Sequence, residues 1–157
     1  MPKNTNLKSK MKKKKSRKKK FNGLISKFNK YDFLKNKNIV INPKGHEKMS
    51  DILMRFVDPY IDFSKPEEEQ LKILSISALA WNVSILNTDA QIAQINKISL
   101  ESFPENSQHI RNILNELVSR KNRYFADIKR YIIDFEYKDL GDNYHLTVAS
   151  TLDLPKD

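Results

Sequence analysis

The side chains with the most chemistry to offer are cations, and they are bunched. Residues 1–20 hold Lys3, Lys8, Lys10, Lys12, Lys13, Lys14, Lys15, Arg17, Lys18, Lys19 and Lys20, eleven basic groups with no acid among them. Each Lys or Arg that neutralises a phosphate releases condensed counterions, so affinity for nucleic acid comes without sequence reading and falls with salt. Lysine predominates over arginine here, which suits diffuse phosphate contact better than bidentate recognition of base edges. Nonspecific association with RNA or DNA is the expected use of this arm, with Lys8, Lys10, Lys12, Lys13, Lys14, Lys15, Arg17, Lys18, Lys19 and Lys20 as the contacts. A tail that only confers solubility, or an address read by a receptor, is the alternative.

The whole chain has 157 residues, 29 basic and 19 acidic, for a net charge of +10. Residues 21–157 carry 18 basic and 19 acidic groups, and from Met49 onward the balance is 12 to 17. The molecule is thus a mildly acidic body with a polycationic arm. That body offers a surface for a protein partner, the second functional reading.

A second basic cluster, Arg120, Lys121, Arg123, Lys129 and Arg130, is interleaved with Tyr124, Phe125 and Tyr131. Such a set can stack on unpaired bases or extend a phosphate track. It equally fits cations complementing the end of a helix beside aromatics that seal a core, and that structural use is expected. Near the C-terminus, Glu136 and His145 fall opposite each other, and Asp134 opposite Thr147, if Tyr137 pairs with Tyr144 in a hairpin. A carboxylate orienting an imidazole is a general-base arrangement, although an ordinary cross-strand pair is the expected use. No nucleophile or oxyanion site accompanies it. The chain has no cysteine, and its histidines (His46, His109, His145) lack metal-ligand spacing. Thiol chemistry, disulfides and the usual zinc sites are excluded. No enzyme, metal or cofactor is expected.

The elements that must position these groups follow from periodicity. Residues 1–20 cannot bury apolar surface and read as a disordered arm. Residues 21–37 place Phe21, Leu24, Ile25, Phe28 and Tyr31 at helical spacing. This stripe is expected to dock on the body, although beside the arm it also fits an anionic membrane surface. Residues 38–43 read as an extended connector. Met49, Ile52, Leu53, Phe56, Val57 and Tyr60 predict a first helix of the body, stopped by Pro59. Ser64 and Glu67 read as a capping box opening a second helix to about Leu86, apolar on most faces and therefore central, with Trp81 as its core aromatic. Thr88 with Gln91 starts a short third helix to about Ile98, and Ser107 caps a fourth. From residue 130 the period becomes two, and residues 130–137 and 144–151 predict a β-hairpin around Gly141, packed by its apolar face on the helices.

The stretches KMSDILMRFVDPYID, LSISALAWNVSIL and RYFADIKRYIIDFEYKDLGDNYHLTVAST resemble a small bacterial domain family of unknown function, over about residues 44–152. Such domains can follow a cysteine-rich, SEC-C type metal motif, whose place is taken here by the lysine arm. The resemblance implies a helical domain of bacterial origin and brings no catalytic residues. The expected organisation is α+β: a disordered polybasic tail over residues 1–20, a short amphipathic helix and linker over residues 21–43, and a globular domain of about four helices and a C-terminal hairpin over residues 44–157. No apolar run reaches the roughly 18–20 residues of a membrane span. No secretory signal is recognised, and a cytoplasmic address is expected.

Overall fold

A computed structural model describes residues 39–41 and 44–152 of the chain. The arm of residues 1–20 and the amphipathic stretch of residues 21–37 lie outside the described residues. The elements are β1 (Ile39–Val40), α1 (Met49–Val57), α2 (Glu67–Ile85), α3 (Thr88–Ser102), α4 (Ser107–Tyr124), β2 (Ile132–Asp139) and β3 (Tyr144–Thr151). A 3₁₀ turn, Pro104–Asn106, leads into α4. The α+β architecture of helices with a C-terminal antiparallel hairpin is as the periodicities predict.

The first two helices are buried where their apolar spacing marks them out. In α1, Met49, Ile52, Leu53, Phe56 and Val57 are all buried, and the helix ends before Asp58 and Pro59. The core of α2 buries Gln70, Leu74 and residues 77–84, so this helix is enclosed on nearly every side through its second half. It packs against α1, α3, α4 and β2. Trp81 is fully buried and meets Phe56 and Phe125 edge to face, with ring centroids 5.3 and 5.7 Å away. Edge-to-face contacts of this kind suit the ring quadrupoles.

The helix starts differ from the expectation. Ser64 makes no cap for α2: its hydroxyl donates to Asp62 Oδ1 at 2.6 Å, and Pro66 stands at the cap position. The local Asp62–Ser64 turn competes for that hydroxyl and wins. For α3, the cap is Asn87, whose Oδ1 accepts from Ala90 N at 2.9 Å, one residue before Thr88. Gln91 instead turns back, donating to the carbonyls of Ser84 and Leu86 and so satisfying the end of α2. Ser107 is the first residue of α4 and Asn106 its cap position, with no side-chain cap bond. The third helix also runs past Ile98 to Ser102.

The strands form one antiparallel sheet in the order β1-β3-β2, so the expected connector is in part an edge strand pairing Ile39 with Thr151 and Val40 with Ser150. The hairpin register departs from the Tyr137–Tyr144 pairing. Asp139 faces Tyr144, Lys138 faces His145, Tyr137 faces Leu146 and Glu136 faces Thr147. The reason lies in the loop. Leu140 N donates to Asn143 O at 2.8 Å, Gly141 takes a positive φ of 88°, and Asp139 Oδ1 accepts from Gly141 N. The connection is therefore shorter than the six residues expected, and the partners slide by two. A slide of two preserves which face each side chain occupies.

One feature does change the faces. An irregularity between Ile132 and Asp134 places Ile132, rather than Ile133, on the inner face with Phe135 and Tyr137. A bulge inserts one residue into a strand and so inverts the alternation beyond it.

Candidate functional site

The polar chemistry of the body collects at the two ends of the hairpin, both bound to α2. The helix from Glu67 to Asn82 and the strand from Asp139 to Ile132 have similar lengths at about 1.5 and 3.4 Å per residue, so one helix can fasten both ends.

At the root, Asn82 lies on the buried face of α2 and pairs with one residue of β2 twice. Its Nδ2 donates to Ile132 O and its Oδ1 accepts from Ile132 N, both at 2.8 Å. The amide thus takes the place of a neighbouring strand where the bulge interrupts the ladder. From the preceding residue, Trp81 Nε1 donates to Arg130 O at 2.8 Å. The side chain of Arg130, 2% exposed, donates to Thr151 O at 3.1 Å, Glu47 O at 2.8 Å and Ser150 Oγ at 2.9 Å. One guanidinium therefore ties the approach to α1 to the end of β3. The five planar donors of arginine suit such a task. Asn82 also belongs to the Asn82-Val83-Ser84 sequon, and its burial and double bond to Ile132 explain it as a structural residue.

At the tip, Gln70 is the hub. It is 1% exposed; its Nε2 donates to Lys65 O at 2.7 Å and to Asp139 Oδ2 at 3.0 Å, and its Oε1 accepts from Tyr137 Oη. Glu67 Oε2 accepts from Asp139 N at 3.1 Å. Burial, with the nearby Asp139 and Glu67 carboxylates, pushes the Tyr137 hydroxyl up to about 12. Phe63 and Tyr144 stack almost parallel next to this hub, with centroids 5.6 Å apart and planes 6° apart, while remaining 48% and 38% exposed. Tyr144 also lies 6.2 Å from Tyr137.

The second basic cluster does not form one surface. Lys121 and Arg130 are buried, and the Lys121 ammonium lies 4.8 Å from the centroid of the Trp81 ring. Lys129 and Arg123 are exposed. Arg120 is divided in its contacts. Its Nε donates to Phe56 O at 2.9 Å and its Nη2 to Arg55 O at 3.1 Å, so it closes the C-terminal end of α1. Its guanidinium also lies 5.2 Å from the Tyr124 ring centroid. Tyr60, Glu116, Ser119, Arg120, Arg123 and Tyr124 line an open surface depression here. Tyr60 Oη donates weakly to Glu116 Oε1 at 3.4 Å, and burial is the main cause of the raised pKa of Tyr60, ahead of the Glu116 charge.

The carboxylate–imidazole pair is not assembled. His145 faces Lys138 rather than Glu136, its Nε2 meets Thr147 Oγ1 at 3.1 Å, and Asp134 faces Ala149. His46 and His109 are exposed. Among the described residues no group of three or more His, Cys, Asp or Glu is placed to hold a metal ion, and no helix is long and apolar enough to cross a membrane. Sequence reasoning read Asn82 only as part of an incidental sequon and gave Gln70 no role. Their only local sign is an amide inside an otherwise apolar helical stripe, which identifies no partner 50 or 67 residues away. No family model, curated protein or solved structure matches the chain.

Proposed function

We propose that the chain associates with nucleic acid, RNA or DNA, without sequence preference and without catalysis, through the cations of residues 1–20. The carrying observation is the division of charge, +11 over residues 1–20 against −1 over residues 21–157. At physiological ionic strength charges separated by more than about 8 Å are largely screened, so local density outweighs the net charge of +10. Residues 44–152 hold 13 basic and 16 acidic groups, a balance that repels a polyanion. The arm then supplies most of the affinity.

Binding of the full chain to labelled oligonucleotides tests this between about 50 and 200 mM salt. Changing Lys12, Lys13, Lys14, Lys15, Arg17, Lys18, Lys19 and Lys20 to Gln should remove most of the affinity. The slope of log K against log salt should flatten by roughly 0.9 per lost duplex contact. An unchanged slope would overturn the reading.

A protein-interaction role of the body is the second reading. What favours it is the half-exposed Phe63–Tyr144 stack, with Leu140 54% exposed in the adjoining loop. Aromatic residues on a surface are enriched where proteins meet. Crosslinking in cells should then lose a protein adduct on Phe63→Ser while nucleic-acid crosslinks persist; an unchanged adduct pattern counts against it.

A further inference from the structure

We infer that Tyr124 is a stacking platform for an unpaired base, so that the body favours single-stranded nucleic acid while the arm is indifferent to strandedness. The inference rests on nucleic-acid association through residues 1–20 and adds to it the class of nucleic acid preferred. Tyr124 is 60% exposed, the highest value among the exposed large apolar and aromatic side chains of the described residues. Its position is fixed because it ends α4 directly before Phe125, whose ring packs on Phe56 and Trp81. Two guanidiniums flank it: Arg120 at 5.2 Å and Arg123 at 5.4 Å from the ring centroid, both within cation–π range. Arg120 is held by two carbonyls of α1, so its plane is set before any ligand arrives. Arg123 is exposed and makes no ion pair among the described residues.

Tyrosine and guanidinium planes are the two surfaces on which proteins stack extruded bases, and a base inside a duplex presents no face to them. Adjacent cations serve the phosphates on either side. Glu116, the acid of the depression, disfavours phosphate on the Tyr60 side and leaves the Arg123 side for the backbone. The site also lies towards the end of the sheet at which Ile39 pairs with Thr151. Phe125 touches Trp81, Trp81 bonds to the Arg130 carbonyl, and the Arg130 guanidinium bonds to Thr151, the partner of Ile39.

Fluorescence anisotropy of the full chain tests the platform with a short oligothymidine, an abasic oligomer of equal length and a duplex. Tyr124→Ala should weaken oligothymidine binding roughly tenfold, about 1.4 kcal/mol, while duplex and abasic affinities stay put. Tyr124→Phe should retain the wild-type preference, since it keeps the ring. Thermal melts of both variants confirm an intact fold, because the side chain is exposed. If Tyr124→Ala leaves oligothymidine affinity unchanged, or lowers all three ligands alike, the platform is refuted and the arm reading stands. If the wild-type chain binds none of the three, both fall together.

Discussion

The root and the tip of the β-hairpin are fastened to the same helix by different mixtures of backbone-directed and side-chain bonds. At the root, the buried side chains of Trp81, Asn82 and Arg130 are directed almost wholly at backbone atoms. At the tip, Gln70 and Glu67 meet Tyr137 and Asp139 mostly through side chains, with the partly buried Asp139 and Glu67 carboxylates among the partners. Backbone-directed bonds fix register, because each backbone group belongs to one residue at one height of the strand. Side-chain pairs at an open edge fix position less strictly and respond to pH. The root decides where the hairpin sits, and the tip decides how firmly its outer half is held.

The largest break in this contrast should come from the root. Arg130→Met keeps much of the volume but strips donors from Thr151 O, Glu47 O and Ser150 Oγ. With about 1–3 kcal/mol at stake for each buried group left unpaired, a loss of roughly 3–5 kcal/mol is expected in urea denaturation. A loss below about 1 kcal/mol would show that water replaces the guanidinium and that the root is not dry. Asn82→Leu should follow at about 2–4 kcal/mol, since both the N–H and the C=O of Ile132 lose their partner. Hydrogen exchange at Ile132 should quicken in that variant before exchange at Phe135.

The tip should yield smaller effects. Gln70→Leu is expected to cost about 1–2 kcal/mol, because the released groups of Lys65 and Asp139 lie near solvent and the Tyr137 hydroxyl is the one buried group left unpaired. A cost equal to that of Asn82→Leu would erase the distinction between the two ends. Gly141→Ala should cost about 1 kcal/mol, arising from the positive φ alone, as the space a Cβ would enter is open.

The last prediction concerns pH. The Tyr137 hydroxyl, ordinarily near 10 in an unfolded chain, is pushed up to about 12 in the fold, so the folded state binds the proton more tightly. Its contribution is fully present below pH 10 and is lost as pH rises from about 10 towards 12. Chemical denaturation across that range should fall less steeply for Tyr137→Phe than for wild type, and parallel curves would exclude Tyr137 as the source.

The two regions also differ in how far they can be read from sequence. The buried stripe of α1 and the enclosed middle of α2 follow from spacing alone, because a helix brings residues three and four apart onto one side. The change to a period of two at residue 130 likewise locates the hairpin. The capping assignments at Ser64 and Thr88 failed because Asp62 and Asn87, one or two residues earlier, compete for the same short-range bonds. The pairing of Tyr137 with Tyr144 failed because period-two patterns specify the face of a side chain but leave slides of two residues equally good. Only the loop around Gly141 chooses between them.

What the sequence by itself determined is the separation of a polycationic arm from an acidic body, the helix count of that body and its hairpin. These depend on composition and on contacts within a few residues. Only the tertiary structure decided the fate of the second basic cluster. Lys121 and Arg130 go inside, Arg120 divides its contacts, and Arg123 stays outside, although all four have the same kind of charge. A cation is buried where distant acceptors converge on it, as Glu47, Ser150 and Thr151 do on Arg130. That convergence joins residues up to 83 positions apart and has no counterpart in local spacing.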